Sequence, residues 1–209
     1  MAGALTLGLI EDGRWKLSAG TPDRRIYIGV DLGKQECHSA IVVVERLEEL
    51  PTDFADVLRG VGVKTTYIVR HAERLPLGMP YTEVVMRVKA VVQQLVVLGT
   101  CVVVVDAGGP GVPVVEMLRQ VGLGCSLCPL VITSGQKATG GGVPRAELVT
   151  RLQMMAERGE LKIAGGCYHE ELLKRELLHL QLQGGSGKSV RDDLAMGLGL
   201  ACYKARGRG

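Results

Sequence analysis

The sequence predicts an α/β protein on a mixed sheet, with the first three strands antiparallel, the later ones parallel, and helices flanking them. Three observations predict it. Short apolar runs at residues 26–30, 39–44 and 101–105, the last two rich in valine, have the continuous apolar character of buried strands. From residue 80 onward, stretches of helical periodicity alternate with further strands. Two of the apolar runs end in an aspartate followed by glycines, the pattern expected where strands open onto a site at their carboxyl ends.

Each element follows from local chemistry. Residues 1–24 carry glycine, proline and mixed charges with little periodicity, and read as an arm or linker. The domain proper is expected over residues 25–206, with 207–209 as a disordered tail. The strand at 26–30 turns through residues 32–35 into its hairpin partner at 39–44. A polar stretch containing Pro51 leads to a third strand near 64–70. Residues 80–98 read as a helix, opened by Pro80 and followed by Gly99. The strand at 101–105 ends in Asp106, and a loop with Gly108, Gly109 and Gly111 leads to a helix at 113–120. A strand at 127–133 follows, then a glycine-rich loop at 134–142. Helices are expected at 144–158 and 169–181, with an edge strand at 161–164 between them. A second glycine-rich loop, 183–189, precedes the last helix at 192–205.

Composition bounds the function. The 209 residues are 46% hydrophobic and 22% charged, which suits a globular domain with a real core. The net charge of +3, from 25 Lys+Arg against 22 Asp+Glu, is too mild to indicate a nucleic-acid partner alone. No apolar run approaches the roughly 18 to 20 residues of a membrane span, and the N-terminus lacks the pattern of a signal peptide. No membrane partner is therefore expected. Cys101 and Cys202 read as small core residues. Cys125 and Cys128 have CxxC spacing, but no second ligand pair stands at a zinc-binding distance in sequence.

The carboxylates carry the chemistry. If the strands ending in Asp31 and Asp106 are parallel neighbours, the two acids sit side by side. Two adjacent carboxylates repel and call for a cation or a shared proton, and a hard divalent cation suits oxygen ligands. A third acid comes from the last helix. Asp192 and Asp193 precede Leu194, Met196, Leu198 and Leu200, interleaved with Ala195, Gly197, Gly199 and Ala201. Small residues let this helix lie close on the sheet. One acid can then face the site while the other caps the helix. Asp193 is assigned to metal and Asp192 to the cap or to a supporting position, with either able to serve as the ligand.

These residues resemble a known family. The motifs are Ile28-Gly29-Val30-Asp31-Leu32-Gly33, Val105-Asp106-Ala107-Gly108-Gly109-Pro110-Gly111, Pro144-Arg145-Ala146-Glu147-Leu148, Gly159-Glu160-Leu161-Lys162-Ile163 and Asp192-Asp193-Leu194-Ala195-Met196. Together with the run at 39–44, they resemble the C-terminal nuclease domain of tailed-bacteriophage large terminase subunits. The resemblance implies a ribonuclease H-like fold and a metal-dependent endodeoxyribonuclease that cuts concatemeric viral DNA during genome packaging. It implies two divalent ions, Mg²⁺ or Mn²⁺, held by Asp31, Asp106 and Asp193, with Asp31 bridging both. It also implies double-stranded DNA, a terminase ATPase domain, a small terminase subunit and a portal protein as partners, in the cytoplasm of a bacterial host. Candidate DNA contacts are Lys34, Lys137, Arg145, Lys188 and Arg191. Two positions depart from the family pattern. Arg191 stands where a histidine usually precedes the paired acids, and Cys37 stands where an aspartate often follows the first catalytic one.

Three rival readings stand beside it. An actin-like ATPase fragment would use Asp31 and Asp106 in phosphate loops, a non-catalytic interaction module would keep the acids but cleave weakly, and a Holliday-junction resolvase would prefer four-way junctions. The run Gly184-Gly185-Ser186-Gly187-Lys188-Ser189 is not a phosphate loop, because Leu182 stands where its first glycine is required. No ATPase motif is expected.

Overall fold

In a computed structural model, residues 24–33, 37–49, 51, 54–109, 111–134, 142–182 and 192–207 are described, together with the backbone of 6–9 and 15–18. The glycine-rich segments 135–141 and 183–190 lie outside the described residues, as do Lys34, Lys137, Lys188 and Arg191.

The first two strands, β1 (Thr6–Leu9) and β2 (Trp15–Ser18), pair antiparallel in a small sheet of their own. This hairpin lies in the stretch expected as an arm; four-residue strands are too short to print a legible alternation. β3 (Arg25–Asp31) and β4 (Ala40–Glu49) form the expected hairpin. A single turn of helix, α1 (Phe54–Leu58), occupies part of the polar stretch after Pro51. β5 (Lys64–Arg74) is longer than the pattern suggested. Its pairing with β4 steps from Val44 opposite Val69 to Val43 opposite His71, a bulge that lets β5 run on to Arg74.

The alternating half follows. α2 (Tyr81–Leu95) starts after Pro80, whose fixed backbone suits a helix entrance. β6 (Thr100–Asp106) leads through the glycine turn to α3 (Gly111–Val121). β7 (Ser126–Leu130) comes next, then the short pair β8 (Ile132–Thr133) and β9 (Val143–Pro144). α4 (Arg145–Glu157), β10 (Leu161–Ile163), α5 (Glu170–Leu182) and α6 (Asp193–Arg206) complete the chain.

The main sheet has six strands in the order β10-β5-β4-β3-β6-β7. β4 runs antiparallel to both β3 and β5, whereas β6 runs parallel to β3, β7 to β6 and β10 to β5. This is the ribonuclease H-like arrangement expected from the sequence.

Three layers result. On one face, Ile26, Ile28, Val30 and Val103 pack under Val84, Val88 and Val92 of α2 and Val114 and Leu118 of α3. On the other, Tyr27, Val42, Val44 and Val69 pack against α4, α5 and α6 through Leu152, Leu173, Leu194 and Leu198. Alternation along each strand supplies both faces, which is why the strands read as continuous apolar runs.

α6 lies closest to the sheet. A Cβ on Gly29 would come 1.8 Å from the Gly197 carbonyl oxygen, so only glycine permits the approach. Across the same contact, a Cβ on Gly197 would stand 3.2 Å from Val42. The small residues in α6 thus bring its first turn to the carboxyl end of β3. Among the described residues no helix is long and apolar enough to cross a membrane.

Candidate metal centre

Register fixes the first pair of acids. Val30 of β3 is the partner of Val105 of β6 in a parallel ladder, so Asp31 and Asp106 leave the sheet side by side. The turn after β6 then holds Asp106. Its Oδ1 accepts hydrogen bonds from the backbone N–H groups of Gly108 (2.8 Å) and Ile132 (3.2 Å). A Cβ on Gly111 would lie 2.1 Å from the Asp106 carbonyl oxygen, which explains a glycine at that point of the loop. One carboxylate oxygen is therefore fixed by backbone donors.

Asp193 is the first residue of α6 and only 6% exposed. Its Oδ2 is buried without a hydrogen-bond partner. Burial pushes its carboxyl upward, opposed by the charges of His38 and Arg74 and by the backbone N–H of His38. The His38 ring is oriented by its Nδ1, 2.7 Å from the Leu75 carbonyl oxygen.

Asp31 records the crowding most strongly. Burial raises its carboxyl well above the ordinary range, and the charges of Asp193, Asp106 and Asp192 raise it further, with Arg145 opposing. Asp31 thus sits among three other carboxylates. Desolvation and like charge together disfavour its anion unless a cation is supplied.

Asp192, expected at the cap or in a supporting position, does not cap. It occupies the N-cap position of α6, yet its side chain makes no capping hydrogen bond. Its carboxylate is instead paired with the Arg145 guanidinium at the start of α4. Arg145, expected as a DNA contact, is thereby placed at the acidic cluster itself. Arg191, the departure from the family's histidine, lies outside the described residues; Cys37, at the other departure, is exposed.

The cap is supplied by a residue the sequence reading passed over. Glu176 of α5 is 3% exposed, and its Oε2 accepts a hydrogen bond from the Ala195 N–H at 2.9 Å. Arg74 at the end of β5 stands 3.7 Å from its Oε1. Burial pushes Glu176 up to about 7, with Asp193 and Asp192 adding to the rise and the Ala195 N–H and Arg74 opposing it. A signal was present. Glu176 falls on the stripe of Leu172, Leu173, Leu177 and Leu180, where a charged residue is out of place. His38 was missed for lack of any pattern around it.

The structure of the large terminase nuclease from thermophilic phage G20c matches with a TM-score of 0.53 and 22% sequence identity, over 90% of this chain and 86% of that one. The chain has the fold of a phage large terminase nuclease. No protein-family model and no curated protein matches the sequence. At 22% identity, the likeness establishes the terminase-nuclease fold and leaves the chemistry to the residues themselves.

Those residues suit a hard divalent ion. The set is all oxygen, one oxygen of Asp193 is buried and unpartnered, and Asp31 lies in a field of like charge. Among the described residues, no group of three or more His, Cys, Asp or Glu side chains stands close enough to hold a metal ion by itself. Water and a phosphate oxygen would complete the coordination, as in catalytic sites generally.

Proposed function

We propose that this chain is a metal-dependent DNA endonuclease that cuts concatemeric viral DNA during genome packaging. The observation that carries the reading is the placing of Asp31 and Asp106 at the ends of neighbouring parallel strands, with Asp31 raised by burial and further by the charges of Asp193 and Asp106. The terminase-nuclease fold supports it.

Asp31, Asp106 and Asp193 would hold two ions, Mg²⁺ or Mn²⁺, with Asp31 between them. When bound, such ions lower the pKa of water and stabilise the charge that develops at phosphorus and on the leaving oxygen. The chain's own residues do the rest. Gly108 and Ile132 fix Asp106 Oδ1 through their N–H groups and leave Oδ2 free to bind. α6, pressed against Gly29, carries Asp193 to the same place. Arg145, paired to Asp192, keeps a guanidinium beside the acids, where it can meet a phosphate oxygen. Lys34, Lys137, Lys188 and Arg191 remain proposed phosphate contacts, and such contacts position DNA without reading its sequence.

The nuclease unit is assigned to residues 25–206. Double-stranded DNA, a terminase ATPase domain, a small subunit and a portal protein are the proposed partners, in the cytoplasm of an infected bacterium.

The test is nicking of supercoiled plasmid with Mn²⁺ or Mg²⁺. Chelation with EDTA and the substitution Asp31→Ala are each expected to abolish cutting. If Asp31→Ala cuts as well as the parent, the assignment is wrong.

A further inference from the structure

α6 begins without a cap of its own. The first four N–H groups of any helix have no partner inside it, and Asp192, placed to cap, is paired to Arg145 instead. A neighbouring helix supplies the acceptor. Glu176 of α5 reaches the N–H of Ala195, the third residue of α6, at 2.9 Å in a buried hydrogen bond. Asp193 lies two residues earlier in the same turn.

A buried carboxylate is a costly way to fill this position. Every other member of the α5 stripe is leucine, and replacing a buried ion pair by apolar residues of similar volume is often neutral or stabilising. Packing alone would therefore favour leucine at 176. Glu176 does what leucine cannot, because it joins three elements at the point where Asp193 emerges. Its Oε2 holds α6, and Arg74 of β5 stands 3.7 Å from its Oε1. Arg74 is itself the register partner of Ala40, which is the partner of Asp31. A strand row thus links Asp31 to Arg74, and Glu176 links Arg74 to the turn that carries Asp193. The Arg74 N–H is tied to His169 Nδ1 at 3.0 Å, which anchors the row's outer end.

We infer that Glu176, backed by Arg74, is a positioning residue that sets the direction of the α6 first turn and so holds the Asp193 carboxylate towards Asp31. The inference rests on the metal site proposed above. Glu176 does not itself touch metal or DNA; it acts through the Ala195 N–H.

The experiment uses the whole 209-residue chain and compares Glu176→Gln with Glu176→Leu. Mn²⁺ binding is measured by calorimetry, thermal melting without metal, and kcat and KM for plasmid nicking. Glutamine keeps an oxygen to accept from Ala195, so its Mn²⁺ affinity and kcat are expected within about threefold of the parent. Leucine fills the space but cannot accept. It is expected to lose about 10- to 100-fold in Mn²⁺ affinity and in kcat, the range for groups that orient metal ligands. KM for DNA should hardly change, and the metal-free melting temperature should fall by only a few degrees, the scale of one lost helix cap. Full Mn²⁺ affinity in Glu176→Leu overturns the inference. So does a Glu176→Gln variant that loses about 10-fold or more in Mn²⁺ affinity, an outcome that can be read even if the leucine variant fails to fold. A parent that neither binds Mn²⁺ nor nicks DNA would instead overturn the proposed function, which keeps the two failures apart.

Discussion

The two halves of the acidic site are built differently. Asp31 and Asp106 end neighbouring parallel strands, and backbone register alone places them side by side. Asp193 rides on a helix and reaches them only because several separate contacts agree. Gly29 lets α6 approach the sheet, Glu176 fixes its first turn, and Arg145 removes Asp192 from the cap. A strand acid is positioned by the ladder that makes the fold, whereas a helix acid depends on side chains that can fail one at a time. The strand half should therefore fail through chemistry, and the helix half through geometry.

The largest effect tests the strand half. Asp31→Asn is expected to lower nicking by about 1000-fold or more, since metal-assisted charge stabilisation is worth several kcal/mol and each 1.36 kcal/mol is tenfold. The same change should raise the metal-free melting temperature, because it removes the repelling charge. Each kcal/mol of relief corresponds to roughly 2–4 °C in a chain of this size. The pH dependence has a definite sign. Asp31 is raised in the folded state, so its contribution to stability is complete below the ordinary carboxylate range and is lost as pH rises through the raised value. The advantage of Asp31→Asn over the parent should therefore grow as pH rises above that range, and then level off. An advantage that shrinks with rising pH would show that burial and like charge do not raise Asp31 in the folded state.

The next effect tests the helix half. In Gly29→Ala, the new Cβ would stand 1.8 Å from a backbone oxygen of α6. Overpacking of this kind costs typically 1–3 kcal/mol and occasionally more, and here the helix must move. Melting temperature and Mn²⁺ affinity should fall together. Gly197→Ala meets a Val42 methyl at 3.2 Å and the Gly29 carbonyl oxygen at 3.4 Å, a far milder contact, and should cost much less. Equal losses in the two variants would mean that the close approach at Gly29 does not set the position of α6.

This contrast also explains what the sequence disclosed. The apolar runs ending in Asp31 and Asp106 were legible because strand, turn and site coincide within a few residues. The small residues of α6 announced a close helix. The partner of Asp192 was not legible, since Arg145 lies 47 positions away and the pair forms only once α4 and α6 meet. Glu176 and His38 act through tertiary contacts across 19 residues and through a backbone carbonyl 37 positions distant. The β1–β2 hairpin was missed for the opposite reason, its strands being too short for any period to show.

The smallest effect separates the two adjacent aspartates. Asp192 carries the Arg145 guanidinium, whereas Asp193 keeps a buried oxygen without a partner, so the two should respond oppositely to loss of the arginine. Arg145→Ala removes a positive charge that opposes the rise at Asp31. Metal should then bind more tightly, by about 3- to 10-fold, the scale of a partly exposed ion pair worth roughly 1 kcal/mol. DNA binding should weaken, because a proposed phosphate contact is gone. Cleavage at saturating metal should therefore fall even as Mn²⁺ affinity rises. In Arg145→Ala with Asp192→Asn, one charge of each sign is removed and Mn²⁺ affinity should return to near the parent value. If affinity drops well below the parent in the double variant, Asp192 is itself a metal ligand, and the division of labour between the two acids must be redrawn.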